Sequence, residues 1–187
     1  VQYRRMKNSG IVAIFQKERF DEYSNFARIG EGSLGGKGRG LAFIGTMVKR
    51  YPDWSKDNFD VTIPKTVVIC TDIFDEFMET NELYPVALSD ADDNTILKYF
   101  LRASLPGHLI EDLMAFFEVV KSPIAIRSSS LLEDSHYQPF AGIYSTYMVP
   151  KLEDKYEMLR TLSDAIKAVY ASVFYKDSKA YMTATSN

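Results

Sequence analysis

The chain has 187 residues, 46% hydrophobic and 25% charged, with 25 acidic against 22 basic side chains and a formal net charge of −3. These proportions suit a globular domain with a real core, and they exclude a wholly disordered chain, a collagen and a disulfide scaffold. The small acidic excess supplies neither a basic coat for nucleic acid nor a cationic face for an anionic membrane.

Residues 1–29 are polar and mixed, with one short apolar patch at 11–15, and read as an N-terminal extension or the end of an upstream domain. The glycine-rich stretch 30–40 then opens a helix. Leu41, Ile44, Met47 and Val48 share one face of it, and it runs to about Tyr51, before Pro52. Residues 61–63 and 66–70 are β-branched and predict strands broken by Pro64. Thr71 or Asp72 can cap a helix through about Asn81. Helices follow over 93–103 and from Pro106, the latter with Leu109, Ile110, Leu113, Phe116, Phe117 and Val120 on one face. Residues 123–126 read as a buried strand ending at Arg127, 128–139 as a polar loop, and 143–149 as a strand. The longest helix spans 153–174, where Leu159, Leu162, Ile166, Val169, Tyr170 and Val173 keep the 3.6 period. Strands mixed with helices predict an α+β (mixed α/β) fold, a mixed sheet flanked by helices.

The single cysteine, Cys70, lies in an apolar run and reads as a small buried hydrophobe. The sequence has no cysteine framework, no apolar stretch of roughly 20 residues and no apolar core behind Val1-Gln2-Tyr3-Arg4-Arg5. It therefore predicts a cytoplasmic protein with no membrane partner. The first residue is not methionine, and both ends read as cut from a longer protein.

Three places could carry chemistry. Gly30-x-Gly32-x-x-Gly35 matches a dinucleotide fingerprint, but residues 20–29 before it look too polar for the buried strand that motif requires. A Walker A loop fails as well: its first glycine would fall on Glu31, and Gly38 follows Lys37. What remains is Gly35-Gly36-Lys37-Gly38 ahead of a helix. Exposed backbone N–H groups and the helix dipole can meet an anion there, and Lys37 adds a mobile point charge. A plain flexible connector with a solvated lysine is the alternative.

The second place is Arg127 followed by Ser128, Ser129 and Ser130. An arginine directly after a buried strand is poorly placed for simple solvation. Its planar fork suits a phosphate or a carboxylate, or else an ion pair with Glu133 or Asp134. The third is Gly142, which permits close backbone approach, with Ser145 and the Thr146 hydroxyl beyond it; a strand start needs no function to explain it. No Gly-x-Ser-x-Gly elbow is present. His108, at a helix start, reads as a surface residue and His136 as a loop residue, and the two make no zinc site. Asp90-Ala91-Asp92-Asp93-Asn94 reads as a helix cap rather than a calcium loop.

Taken in order, residues 35–40, 63–68, 124–134, 140–149 and 165–174 make the chain resemble the N-terminal ATP-binding domain of the pyruvate phosphate dikinase and phosphoenolpyruvate synthase family over roughly residues 30–182. The resemblance implies a two-lobed ATP-grasp fold, with residues 30–187 as the first lobe, cut before the second. It implies that Lys37 and Arg127 hold the phosphates of ATP, with Gly35, Gly36, Gly38 and Ser128 beside them, and that Gly142, Ser145 and Thr146 line the phosphate loop. It further implies Mg2+, held mainly by acidic residues of the second lobe. The phosphoryl group would pass to a histidine on a separate domain, in pyruvate/phosphoenolpyruvate-type chemistry. The partners implied are therefore ATP, the second lobe and a phosphohistidine domain. Ile143-Tyr144 stand where the family often has polar residues. That departure and the upstream extension motivate an alternative: a non-catalytic nucleotide-sensing or regulatory module that retains the lobe.

Overall fold

A computed structural model describes residues 12–20, 24–54, 59–130 and 145–185. Among these the elements run β1 (Phe26–Ile29), α1 (Gly35–Arg50), a 3-10 turn (Pro52–Trp54), β2 (Thr66–Ile69), α2 (Thr71–Thr80), α3 (Tyr84–Ala87), α4 (Asp93–Arg102), α5 (Gly107–Val119), β3 (Ile124–Ile126), β4 (Tyr147–Val149), α6 (Lys155–Ser172) and α7 (Lys176–Thr185). The fold is α+β, as the pattern of elements predicts. Its strands form two small sheets: β1 pairs in parallel with β2, and β3 pairs antiparallel with β4. None of these helices is long and apolar enough to cross a membrane.

The segment before the glycines, too polar for a buried strand on paper, is strand β1. Ala27 and Ile29 point inward and are buried, while Phe26 and Arg28 are half-buried. The strand runs parallel to β2 from Phe26 opposite Thr66 to Ile29 opposite Ile69, with α1 as the crossover. Short parallel strands need such a helical connection, and this one begins in the glycine-rich stretch. Residues 61–63, expected as a strand, are not one. The register starts at Phe26–Thr66, so they have no partner strand, and Val61 and Thr62 are exposed.

Helix α1 begins earlier than its apolar residues suggest, and it does not bury the whole expected face. Ile44 is exposed, and the buried positions are Gly38 and Gly45. Their missing side chains let the helix backbone approach closely. A Cβ at Gly45 would stand 2.8 Å from Ile63 Cδ1, and one at Gly38 would stand 3.3 Å from Val68 Cγ2.

The body is built from α2, α4, α5 and α6. Leu109, Leu113, Phe116 and Phe117 of α5 are buried, as are Leu162, Ile166 and Val169 of α6, along the stripes their periodicity predicts. Phe77, Met78, Ile96, Phe100 and Leu109 are wholly buried at its centre, where the Phe77 and Phe100 rings lie 5.9 Å apart. Phe15 and Phe20, from the segment before β1, belong to the same core. Asp92 caps α4 by accepting from the Thr95 N–H, which is the capping role read for the 90–94 run. Asp154 caps α6 through the N–H groups of Tyr156 and Glu157. Cys70 is fully buried as expected, and burial pushes its thiol pKa up.

Candidate functional site

Past Ile29 the chain turns through Gly30-Glu31-Gly32-Ser33-Leu34 into α1. Gly30 has φ +96° and Gly35 φ +73°, backbone conformations that other residues adopt only under strain. Two other segments hold this turn.

Its first half rests on the start of α2. The Glu31 N–H donates to Asp72 Oδ2 (2.8 Å), the Gly32 N–H to Asp72 Oδ1 (2.9 Å) and the Ser33 N–H to Thr71 Oγ1 (2.9 Å). Thr71 and Asp72 are thus not the caps that sequence suggests. The N-cap position is Cys70, which makes no side-chain cap bond, and the two polar side chains serve the glycine turn instead. Partial burial raises the Asp72 pKa, but the N–H donors of Glu31 and Gly32 outweigh it and hold the carboxyl below the usual range. The Tyr170 hydroxyl is buried with no hydrogen-bond partner among the described residues. Burial, followed by negative charge at Asp72 and Cys70, pushes its pKa up.

The second half rests on the segment after β3. The Gly36 N–H donates to the Ser129 carbonyl (2.8 Å) and the Gly38 N–H to Ser129 Oγ (2.8 Å). Ser129 Oγ in turn donates to the Leu34 carbonyl (2.6 Å). A Cβ at Gly35 would run into the Ser129 carbonyl, so the approach needs glycine there. One residue away, Lys37 Nζ donates to the Ser128 carbonyl at 3.3 Å. The backbone groups read as an anion cradle therefore have partners within the chain: Ser129 for Gly36 and Gly38, and Ser33 Oγ for Gly35 (3.2 Å). Of the two cationic side chains, Lys37 is half-buried on the Ser128 carbonyl and Arg127 is exposed.

Arg127 directly follows β3 and is exposed. Its strand is not the buried one expected. Ala125 is exposed and Ile124 and Ile126 are half-buried, because a two-stranded sheet packed on α6 covers one face only. Arg127 is accordingly open to solvent.

The antiparallel register brings the third place to the same end. Ile126 pairs with Tyr147, so Arg127 and Ser128 leave β3 where Thr146 and Ser145 enter β4. Thr146 is exposed, and the Ser145 N–H donates to Ser172 Oγ on α6 (3.3 Å). Lys37, Arg127, Ser128, Ser145 and Thr146 thus collect around one end of the β3–β4 sheet. Gly142, the alternative ion-pair partners Glu133 and Asp134, and His136 lie outside the described residues. His108 is a surface residue, 2.9 Å from Glu76.

Sequence reasoning named Asp72 as a cap and Ser129 among three serines after Arg127, but missed that both hold the glycine turn. Asp72 stands 40 residues from the turn it holds, and Ser129 is one of three identical neighbours. Among the described residues, no group of three His, Cys, Asp or Glu side chains could hold a metal ion. Asp72 is committed to backbone donors, so these residues do not fit a Mg2+ site.

A family model described as pyruvate phosphate dikinase, AMP/ATP-binding domain, matches residues 31–186. No curated protein and no solved structure matches the chain.

Proposed function

The chain belongs to the family of the pyruvate phosphate dikinase AMP/ATP-binding domain, and from that premise we propose that it grips the phosphates of ATP between Lys37 and Arg127 for phosphoryl transfer. Residues 30–187 act as the first lobe of an ATP-grasp unit, and the acceptor is a histidine on another domain. The observation that carries this reading is the contact of Lys37 Nζ with the carbonyl of Ser128, the residue next to Arg127. Two cations 90 positions apart in sequence share one end of a sheet, and the hydroxyls of Ser128, Ser145 and Thr146 lie at the same end.

Charge spreads over the non-bridging oxygens during phosphoryl transfer, and prepositioned cations lower that state more than the ground state. Arg127 offers a planar fork for two oxygens, and Lys37 a point charge. Mg2+ accompanies the nucleotide only if acidic ligands come from outside the described residues, and no step here is assigned to it. A nucleotide-sensing module is the second reading. It is favoured by one observation, the engagement of Gly36 and Gly38 N–H groups with Ser129 rather than with an open cradle.

Calorimetric titration with ATP in the presence of Mg2+ tests the site, with Lys37→Ala and Arg127→Ala beside the wild type. Each substitution removes a charge-assisted contact and is expected to weaken binding by about tenfold or more, without unfolding the chain. Unchanged affinity in either variant would remove that residue from the site. Acid-labile phosphate on a histidine, formed with labelled ATP in the protein that carries this domain, separates transfer from sensing.

A further inference from the structure

We infer that Ser129 is the positioning residue of this site, pinning the start of α1 to the end of β3 so that Lys37 and Arg127 face one phosphate group. The inference rests on the nucleotide reading above and adds a residue that it does not include.

Ser129 alone makes three hydrogen bonds to the glycine segment. Its carbonyl accepts from Gly36, its hydroxyl accepts from Gly38, and the same hydroxyl donates to Leu34. These partners bracket Lys37 on both sides in sequence. The residues flanking Ser129 are equally tied to the site: Ser128 takes the Lys37 ammonium on its carbonyl, and the Ser130 N–H donates back to Ser128 Oγ (3.1 Å). Arg127 is two residues upstream. Gly35 and Gly38 have no side chains at the contact, and this lets the two backbones approach so closely; a Cβ at Gly38 would lie 3.3 Å from Ser129 Oγ. Ser129 Oγ has one donor and one acceptor in place. Its hydroxyl is therefore engaged in joining the two segments rather than offered to a ligand.

Without this pin the two cations sit on less firmly joined segments, α1 on one side and the loop after β3 on the other, with the Lys37 contact to the Ser128 carbonyl still between them. A flexible pair loses the advantage of preorganised charge, because binding must then order both side chains and both backbones. The role is positional: Ser129 acts through Lys37.

The test is a double-mutant cycle read by ATP calorimetry, using Ser129→Ala, Lys37→Ala and the pair, with thermal unfolding of each. Ser129→Ala is expected to weaken ATP binding about tenfold, because binding must then order a segment that the two hydroxyl bonds otherwise hold in place. The double variant should bind no more weakly than Lys37→Ala alone, and Ser129→Thr, which keeps the hydroxyl, should restore affinity. Ser129→Cys keeps the volume and weakens both hydroxyl bonds, so it carries the test if the alanine variant does not fold. Wild-type affinity in Ser129→Ala or Ser129→Cys overturns the inference and leaves the nucleotide site standing. Fully additive losses in the cycle also overturn it, since they make Ser129 a general structural residue. If the wild-type protein binds no ATP, or Lys37→Ala binds as the wild type does, the nucleotide reading itself falls and the inference with it.

Discussion

The helical body and the glycine turn are held by different kinds of force. In the body, Phe77, Ile96, Phe100 and Leu109 are wholly buried between helices, and cohesion is shared among many apolar contacts that have no preferred direction. In the turn, the described polar anchors are short hydrogen bonds to a few side chains, Thr71 and Asp72 on one side and Ser129 on the other. The turn residues Glu31 and Ser33 are exposed. Stability and site geometry therefore reside in separate places. The body can lose a contact and repack, whereas the turn depends on the direction of individual bonds.

Substitutions that strike one region and spare the other test that division. Phe100→Ala should have the largest effect, about 3–5 kcal/mol of stability by urea denaturation, as a large ring leaves a closed core. The molecules that stay folded should keep their ATP affinity. A proportionate loss of affinity would mean the two regions are not separable.

Asp72→Asn strikes the turn. It removes the ionised acceptor of two backbone N–H groups, and because Asp72 is exposed the cost is held to about 1 kcal/mol at neutral pH. The folded carboxyl titrates below its ordinary range. Its contribution is thus complete above the unfolded value of about 4 and is lost as pH falls through the lower folded value. The stability gap between wild type and Asp72→Asn should close on acidification below about pH 4. A gap constant with pH would mean that the charge on Asp72 does not hold the turn.

The smallest effect has the opposite sign. Gly40 lies inside α1, and a Cβ there meets nothing within 4 Å. Gly40→Ala should raise stability by about 1 kcal/mol through helix propensity alone. It should leave ATP binding unaltered, since Gly40 contacts neither Asp72 nor Ser129.

The body was the more legible region. Helices α4, α5 and α6 follow from period and caps, because local preference and tertiary burial agree there; α1 and α2 are also legible, although Ile44 of α1 is exposed and Thr71 and Asp72 do not cap α2. Strand β1 was hidden by its brevity and by Arg28 at its centre. That guanidinium turns back to the Gly30 carbonyl (2.9 Å), so the charge in the strand finds an acceptor. Helix α7 was hidden because its polar stretch docks through Ser178, whose hydroxyl donates to the Ser172 carbonyl, rather than through an apolar stripe. At the site, Lys37, Arg127 and Ser128 were readable as residue types suited to phosphate. The tethering roles of Ser129 and Asp72 were not, since they rest on contact with a segment 40 to 95 residues away, and no local pattern encodes that distance.

The separation between Gly38 and Ser129 also sets an order of events. Their bond spans 91 residues, and contacts so distant in sequence form late, after nearer ones have shortened the loop between them. While the chain is being synthesised, the glycine turn leaves the ribosome well before the serine segment exists. The approach of the glycine turn to the serine segment is consequently a product of finished folding: a nascent or partly folded molecule displays the lysine and the glycines without the arginine, and does not yet possess the proposed grip.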